Sequence, residues 1–273
     1  MKPYFLITGL FILIFFASAD VAADGQAWKF RSDLSNSGEY EDGEIKPDGT
    51  LLWNYTTGDR IQSTPAVAGG IVYFGSHDVN VYALDAETGA LIWSYTTEGN
   101  VWPSPAVAGG VVYTGDYASK VYALDAETGA LAWSYRAGGS ITSSPAVADG
   151  VVYIGSHDGK VYALDAETGE FLWSYTTGGV VDTCPAVVDG SVYVGSYDNR
   201  VYALNASSGA HIWNITTGKG IRSSPAVVDN VVYFGSWDHD IYALDASTGD
   251  IIWNFTTGDE VFSSVAVAGG IAY

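Results

Sequence analysis

One thirteen-residue stretch recurs through most of the chain and constrains the fold more than any other feature. VYALDAETGALIW begins at Val81, and close copies begin at Val121, Val161, Val201 and Ile241, always forty residues apart and always ending in tryptophan. A catalytic motif is normally needed once, whereas a fixed period without insertions indicates a repeated structural unit. The tryptophans that mark the period are Trp53, Trp93, Trp133, Trp173, Trp213 and Trp253.

Each period contains four short apolar segments separated by turn residues. In one period they are ITSSPAVA from Ile141, GVVYIGS from Gly150, KVYALDA from Lys160 and EFLWSYTT from Glu170. The segments are rich in Val, Ile, Tyr and Trp, the gaps contain Gly, Asp, Ser and His, and no segment has helical spacing. The period therefore predicts a four-stranded antiparallel meander.

A sheet that is apolar on both faces needs neighbouring sheets to cover it. Repetition around an axis provides those neighbours, and the result is a β-propeller. Leucine-rich and β-helical solenoids fit less well, because their periods are shorter and their strands are parallel. We predict an all-β fold, a β-propeller of four-stranded antiparallel blades.

The motif that closes each repeat resembles a known family. ALDAETG at Ala83–Gly89, followed by Trp93, is similar to the A-x-D-x-x-T-G-x-x-x-W repeat of the quinoprotein-like propellers, called PQQ-like repeats. The next two copies match it fully, and the fourth departs from it at Asn205 and Ser208. The resemblance implies that each tryptophan docks between the alanine of its own motif and a glycine peptide of the neighbouring blade. The glycines concerned are Gly89, Gly129, Gly169, Gly209 and Gly249.

The repeat divides the chain into segments. Residues 61–260 give five full blades, residues 50–59 give one extra outer strand, and residues 261–273 give a partial blade. Propellers close by pairing strands from the two ends of the chain in one blade. We therefore expect the propeller of residues 50–273 to be incomplete at the C-terminus, as a fragment of a parent with six, seven or eight blades.

The N-terminal segment has the pattern of an export signal. Lys2 precedes an apolar run from Tyr4 to Phe16, which is followed by small residues up to Ala23. This run is shorter than the ~20 residues that a helix needs to cross a bilayer, so a cleaved signal is favoured over an uncleaved anchor. We expect residues 1–23 to be a signal peptide and residues 24–49 a lead-in segment. The chain is then exported, to the periplasm, the cell surface or the exterior, with no further transmembrane segment.

Charge and cysteine content argue against several partners and cofactors. The formal net charge is −20 at pH 7, which disfavours nucleic acid and anionic membranes as partners. Cys184 is the only cysteine, so neither a disulfide, a cysteine-clustered metal site nor a covalently attached haem is expected. Turns carrying Asp85, Glu87 and their repeats could hold calcium loosely, but a solvated rim is favoured because no Asp-x-Asp-x-Asp-Gly loop occurs. We predict no metal and no cofactor.

Four sequons are candidate glycosylation sites on an exported chain. Three of them directly follow a tryptophan. They begin at Asn54, Asn205, Asn214 and Asn254.

Two columns of residues change from repeat to repeat, and function in a repeat protein is expected where the copies differ. In a meander both columns lie on one face, opposite the acidic turns, and we take them as a candidate binding face. Ordinary drift of loop-tip residues is the alternative interpretation. The hairpin between the second and third strands contributes His77, Tyr117, His157, Tyr197 and Trp237. The segment leading into the innermost strand contributes Gln62, Trp102, Thr142, Asp182, Arg222 and Phe262.

Three functions fit this pattern, in decreasing order of support. The first is a non-catalytic scaffold that binds a protein partner at the cell exterior, and the second is carbohydrate binding by the aromatic face. The third is a quinoprotein dehydrogenase, which the family resemblance suggests. Such enzymes are typified by adjacent cysteines, calcium ligands, a base and long insertions between blades. With one cysteine and no insertions, we do not expect an enzyme in the portion present, although a cofactor site in missing blades remains an alternative.

Overall fold

The computed structural model describes residues 50–268 and 270–273, and every regular element in them is a β-strand. The expected signal peptide and lead-in segment lie outside the described residues. The strands form five four-stranded sheets and one two-stranded sheet in this part of the chain. The predicted all-β propeller of antiparallel blades is therefore confirmed.

The strands follow the forty-residue period closely. Blade 1 contains β1 (Ala66–Ala68), β2 (Ile71–Gly75), β3 (Asn80–Asp85) and β4 (Leu91–Thr96). Blade 2 contains β5 (Ala106–Ala108), β6 (Val111–Gly115), β7 (Lys120–Asp125) and β8 (Leu131–Arg136). Blade 3 contains β9 (Ala146–Ala148), β10 (Val151–Gly155), β11 (Lys160–Asp165) and β12 (Phe171–Thr176). Blade 4 contains β13 (Ala186–Val188), β14 (Ser191–Ser196), β15 (Arg200–Asn205) and β16 (His211–Thr216). Blade 5 contains β17 (Ala226–Val228), β18 (Val231–Gly235), β19 (Asp240–Asp245) and β20 (Ile251–Thr256). The two-stranded sheet consists of β21 (Val267–Ala268) and β22 (Ile271–Ala272).

Each blade is an up-and-down meander with a bulge before its tryptophan. In blade 1, Ala83 pairs with Trp93, but the next residue, Leu84, pairs with Leu91, so Ile92 is the extra residue of a β-bulge. The register shifts at the same place in the other four blades. A bulge increases the local twist of a strand. It thereby reorients the outer strand next to the residue that docks on the neighbouring blade.

The hydrophobic core lies between blades rather than within one. One cluster joins Tyr113 and Trp133 of blade 2 to Ile154 and Leu164 of blade 3, and equivalent clusters join the other neighbouring pairs. The middle strands of each blade are buried on both faces, whereas the outer strand buries mainly its tryptophan. Stability therefore depends on contacts between successive repeats.

The seam between two blades is formed at the carbonyl of one alanine. Trp93 of blade 1 donates its indole Nε1–H to the Ala126 carbonyl of blade 2 at 2.8 Å, and Tyr73 donates its hydroxyl to the same oxygen at 3.1 Å. A carbonyl has two lone pairs, so it accepts both bonds. The indole ring also covers Gly129, where an added Cβ would lie 2.6 Å from the ring and where φ is +71°. Glycine is needed there for space and for conformation.

The same seam recurs along the chain but changes at the ends of the described residues. Trp133, Trp173 and Trp213 make the equivalent bond at 2.9 Å. Trp53 does so at 3.0 Å to Ala86, although residues 51–57 belong to no sheet among the described residues. Trp253 is 39% exposed, compared with 7–8% for the four from Trp93 to Trp213. A tryptophan is thus buried only where a following blade covers it.

A chain of hydrogen bonds links the blades near the axis. The backbone N–H of Thr64 donates to the Ser104 hydroxyl at 2.8 Å, and that of Ser104 donates to the Ser144 hydroxyl at 2.9 Å. Further along, Cys184 N–H donates to the Ser224 hydroxyl at 2.9 Å. Cys184 is therefore a buried member of this series of hydrogen-bonded residues between blades.

Candidate functional site

The two kinds of loop lie on opposite faces of the propeller. One face, which we call the varied face, carries the β2–β3 type hairpins and the segments leading into the innermost strands. The other, which we call the acidic face, carries the β1–β2 and β3–β4 type turns, which are bonded to each other, as Ala86 N–H is to Gly70 O at 2.9 Å.

Backbone bonds bring the two variable columns together on the varied face. His77 N–H donates to the Arg60 carbonyl at 3.0 Å, and Trp237 N–H donates to the Gly220 carbonyl at 3.1 Å. The three intervening hairpins make the same bond. Each acceptor lies two residues before a member of the second column, the one in the segments leading into the innermost strands. Each hairpin residue is therefore held beside a residue of that second column.

Aspartates of the hairpins fix the varied face in place, which the sequence did not reveal. In blade 1, Asp78 accepts from the Gly58 N–H and the Tyr82 hydroxyl, each at 2.7 Å. Blade 2 has Ala118 at that position, and Asp116 two residues earlier accepts from the Tyr122 hydroxyl at 2.8 Å instead. The only sequence signal of this role was an aspartate at the same hairpin position in four repeats, shifted in one.

Aromatic rings follow one another across the varied face in two runs. In the first, the His77 and Trp102 ring centroids are 4.6 Å apart, those of Trp102 and Tyr117 are 5.9 Å apart, and those of Tyr117 and His157 are 6.0 Å apart. These distances fit the offset and edge contacts that aromatic pairs favour. These four rings therefore form one connected aromatic surface.

The second run lies at the far end of the same surface. The ring centroids of Tyr197 and Trp237 are 4.9 Å apart, and those of Trp237 and Phe262 are 5.6 Å apart. We refer to both runs together as the aromatic arc, which consists of His77, Trp102, Tyr117, His157, Tyr197, Trp237 and Phe262.

Asp182 joins the two runs through its side chain. One oxygen, Oδ1, lies 3.0 Å from His157 Nε2 and accepts from the Thr142 hydroxyl, while Oδ2 accepts from the Tyr197 hydroxyl at 2.7 Å. Arg222 Nε is 3.7 Å from Oδ2. The carboxylate is 12% exposed and its oxygens are already engaged by neighbours. Asp182 therefore holds the neighbouring side chains of the varied face in position.

The surroundings of Asp182 shift two pKa values. Burial alone would raise the pKa of the Asp182 carboxyl, but hydrogen bonds from Thr142, Tyr197 and His157 outweigh it, and the net pKa is lowered. The Tyr197 pKa is raised by burial and by the bond to this carboxylate. Asp182 is therefore ionised and Tyr197 neutral at ordinary pH.

The predicted face is less uniformly exposed than expected. Tyr117 and Phe262 are 49% and 51% exposed, and the Arg222 side chain is 48% exposed. His77 is only 5% exposed, because Trp102 packs on its ring. His77 is therefore buried, whereas Tyr117 at the same position of the next hairpin is half exposed.

His77 differs from its counterpart His157 in its hydrogen bonds. Its Nδ1 accepts from Arg60 Nε at 3.1 Å and lies 3.5 Å from Asn100 Nδ2, so the proton of the neutral ring is on Nε2. That Nε2 is buried and has no hydrogen-bond partner. Burial and the Arg60 charge lower the pKa of His77. A buried donor without a partner is costly and needs an explanation.

Charge is divided unequally between the faces. Every lysine and arginine among the described residues lies on the varied face: Arg60, Lys120, Arg136, Lys160, Arg200, Lys219 and Arg222. The acidic face has no described lysine or arginine. Its turns carry Asp85, Glu87, Asp125, Glu127, Asp149, Asp165, Glu167, Glu170, Asp189, Asp229, Asp245 and Asp250.

The carboxylates of the acidic face serve their own turns. Asp85 Oδ1 accepts from the Thr88 hydroxyl at 2.6 Å and the Thr88 N–H at 2.8 Å, and these bonds lower the Asp85 pKa. Within residues 50–268 and 270–273, no group of three His, Cys, Asp or Glu side chains could hold a metal ion. In the same residues, no helix is long and apolar enough to span a membrane.

The sequons lie outside the varied face. Asn54, Asn214 and Asn254 are exposed, with the last two on outer strands, while Asn205 is half-buried in a β3–β4 type turn. The Asn205 side-chain oxygen accepts from Ser207 and Ser208. Their glycosylation stays a prediction.

Comparison with known proteins identifies the family. The model of the family described as outer membrane protein assembly factor BamB matches residues 42–180 and 176–273. The chain belongs to the BamB family. The resemblance to PQQ-like repeat propellers is thereby confirmed. A comparison with curated protein sequences gives no match.

Solved structures show how widely the BamB-type fold is shared. BamB from Moraxella catarrhalis is 22% identical with a TM-score of 0.56, over 80% of this chain and 83% of that one. The quinohemoprotein alcohol dehydrogenase from Comamonas testosteroni is 21% identical with a TM-score of 0.76, over 87% of this chain and 50% of that one. The computationally designed Ika8 protein is 22% identical with a TM-score of 0.72, over 80% and 68%. The chain thus spans half of the dehydrogenase, and these likenesses concern the fold.

Proposed function

We propose that this BamB-family propeller is a non-catalytic scaffold that binds a protein partner through the varied face at the cell exterior. The aromatic arc carries the proposal. Protein interfaces are enriched in tryptophan, tyrosine and arginine, because these side chains bury a large area while keeping a polar group. The arc contains tryptophan and tyrosine, and Arg222 lies beside it on the same face; Tyr117, Phe262 and Arg222 are about half exposed. Family membership supports an exported location, periplasmic or associated with an outer membrane.

The polar groups at the centre of the varied face support binding over catalysis. Asp182 is held by Thr142, His157 and Tyr197, so its oxygens are occupied by neighbours and it does not stand as a base before an open cleft. A quinone cofactor of the dehydrogenase type would need calcium ligands, and the described residues do not bring together such a carboxylate set.

Site-specific photo-crosslinking tests the proposal. A photoreactive phenylalanine derivative is placed at Tyr117 on the varied face or at Phe171 on an outer strand, since the two side chains are 49% and 46% exposed. In the producing cell, we expect a defined protein adduct from position 117 and none from position 171. Adducts from both positions at equal yield would contradict a specific face.

The identified partner then allows a quantitative check. We expect Tyr117→Ala and Phe262→Ala to weaken its binding about ten-fold each, as interface aromatics do, with Phe171→Ala unchanged. Glycan-array binding that Tyr117→Ala abolishes, without any protein adduct, would favour the carbohydrate alternative. A stoichiometric quinone retained after refolding with pyrroloquinoline quinone and calcium would instead indicate an enzyme.

A further inference from the structure

We propose that the varied face contains a carboxylate-binding subsite formed by His77, Arg60 and Trp102, which receives an acidic side chain of the bound protein. This inference rests on the proposed function, because it specifies the chemistry of that partner. Three observations support it: the orphaned imidazole, a repeat of the chain that already contains the carboxylate, and the charge of Arg60.

The first observation is an unused hydrogen-bond donor. His77 is 5% exposed, and its Nδ1 is occupied by Arg60 Nε at 3.1 Å. Arginine can only donate, so Nδ1 accepts and the ring proton is on Nε2. Among residues 50–268 and 270–273, nothing accepts a hydrogen bond from that Nε2–H. A ligand that offers an acceptor oxygen would satisfy it.

The second observation is that another repeat already supplies this acceptor. His157 occupies the same hairpin position as His77 two repeats, or eighty residues, further along the chain, and its Nε2 lies 3.0 Å from Oδ1 of Asp182. Asp182 is twenty-five residues after His157, and the residue twenty-five after His77 is Trp102. Where one repeat places a carboxylate, the other places an indole. The chain itself thus shows that this imidazole position accommodates a carboxylate.

The third observation is the charge beside the open donor. Arg60 is exposed, and its guanidinium carbon lies 5.8 Å from the Trp102 ring centroid. Within the part of the chain that the structure describes, its side chain makes one hydrogen bond, from Nε to His77. The remaining guanidinium N–H groups can meet a carboxylate in the paired geometry that arginine favours. Asp59 is the neighbouring negative charge. A neutral hydroxyl could accept from the imidazole but lacks the charge and the second oxygen that pair with the guanidinium, so a carboxylate is favoured over a sugar hydroxyl.

Access to the imidazole requires Trp102 to move. The indole stacks on the His77 ring at 4.6 Å with 38° between the planes, and Nε2 is shielded from solvent. Trp102 is half-buried at the loop surface. The incoming carboxylate therefore displaces the indole outward, which changes the environment of both rings.

Histidine resonances in the full chain provide the test. The side-chain Nε2–H of His77 is followed by NMR during titration with N-acetylglutamate N-methylamide, with its glutamine analogue, and with N-acetylglycine, which offers a terminal carboxylate. We expect a saturable shift with the glutamate probe and none with the glutamine probe. A response to N-acetylglycine alone would overturn the assignment to an acidic side chain, and an equal response to glutamine would overturn the carboxylate.

Variants separate the subsite from general charge effects. Arg60→Gln and His77→Phe should each weaken glutamate binding about ten-fold, as loss of a charge-assisted hydrogen bond does. Binding to the His77→Phe variant is followed through the indole N–H resonance of Trp102. Arg200→Gln removes a charge elsewhere on the same face and should leave binding unchanged. An equal loss with Arg200→Gln would overturn the proposal.

A further variant fills the subsite with a carboxylate from the chain itself. Trp102→Asp recreates in blade 1 the arrangement of His157 and Asp182, so His77 Nε2–H should shift without any probe and no longer respond to glutamate. If His77 responds to no probe while photo-crosslinking at position 117 persists, the subsite is wrong and the scaffold stands. If the crosslink also disappears, both fail.

Discussion

The seams between blades and the centre of the varied face differ in how closely the successive repeats resemble each other. At the seams the same tryptophan, tyrosine, alanine and glycine return every forty residues, and the bonds of Trp93 and Trp133 to the next blade differ by only 0.1 Å, at 2.8 and 2.9 Å. At the centre of the varied face each blade contributes a different side chain, and the hydrogen bonds differ with it. His157 has a carboxylate partner and His77 has none. Residues that are the same in every repeat are explained by packing between blades. Residues that differ between repeats are available to recognise a partner.

The largest effect is expected at a seam. Trp133→Ala removes an 8% exposed indole and its bond to Ala166, and should lower the free energy of unfolding by about 3 to 5 kcal/mol. Trp253→Ala is the matched control, because that ring is 39% exposed, and should cost only about 1 kcal/mol. Urea unfolding followed by circular dichroism measures both. Equal losses would show that the seams do not carry the stability.

At the varied face, the largest effect should come from Asp182. Asp182→Asn replaces the carboxylate that Thr142, His157 and Tyr197 share, and should cost about 1 to 3 kcal/mol at pH 7. Because the folded-state pKa of Asp182 is lowered, its contribution is present above the ordinary carboxyl pKa and is lost as pH falls through the folded value. Acid titration of unfolding should therefore be less steep in the variant. If the free energy of unfolding falls as steeply with acid in the variant as in the native chain, this role of Asp182 is contradicted.

A smaller, pH-dependent effect is expected at His77. Burial and Arg60 lower its folded-state pKa, so folding favours the neutral ring. Its contribution is present above the ordinary pKa of 6.5 and is lost as pH falls below it. His77→Phe should remove this part of the decline in stability between pH 7 and 5. The native chain and the variant are compared by thermal unfolding across that range, and parallel curves would show that His77 does not titrate in this way.

The smallest change in stability is expected for Tyr117→Ala. The ring is 49% exposed on a hairpin, so the free energy of unfolding should change by no more than about 0.5 kcal/mol. The same variant should lose partner binding, which distinguishes a recognition residue from a packing residue. Calorimetry beside the binding assay gives both quantities, and a large loss of stability would place Tyr117 with the seams.

Much of the fold could be predicted because each repeat makes the same packing contacts with the next one. The forty-residue period gave the four strands, and the identical tryptophans indicated contacts between blades. The second bond at each seam, from Tyr73 to Ala126, was not evident, because tyrosine at that position also reads as a buried strand residue. The relay from Thr64 to Ser104 was missed for a similar reason, since small hydroxyl residues fit any tight strand.

The structure brings the residues of the candidate face together as neighbours, but the contacts between them could not be predicted from the sequence. Meander topology placed both variable columns on one face. The Asp182 network depends on distances between residues twenty-five or forty positions apart, and the burial of His77 depends on the orientation of Trp102. Single-sequence patterns contain neither side-chain orientation nor the absence of a partner, so these features became visible only in three dimensions.

The division of charged residues between the two faces has a consequence for encounters. Among the described residues, the varied face carries seven lysines and arginines beside eleven carboxylates, while the acidic face carries twelve carboxylates and no lysine or arginine. The molecule therefore has a permanent electric dipole, with the varied face as its less negative end. In the field of an anionic body this dipole experiences a torque that turns the varied face forward, and at physiological ionic strength the torque acts within about 8 Å. The aromatic arc therefore leads in such an encounter, and added salt should weaken this orientation.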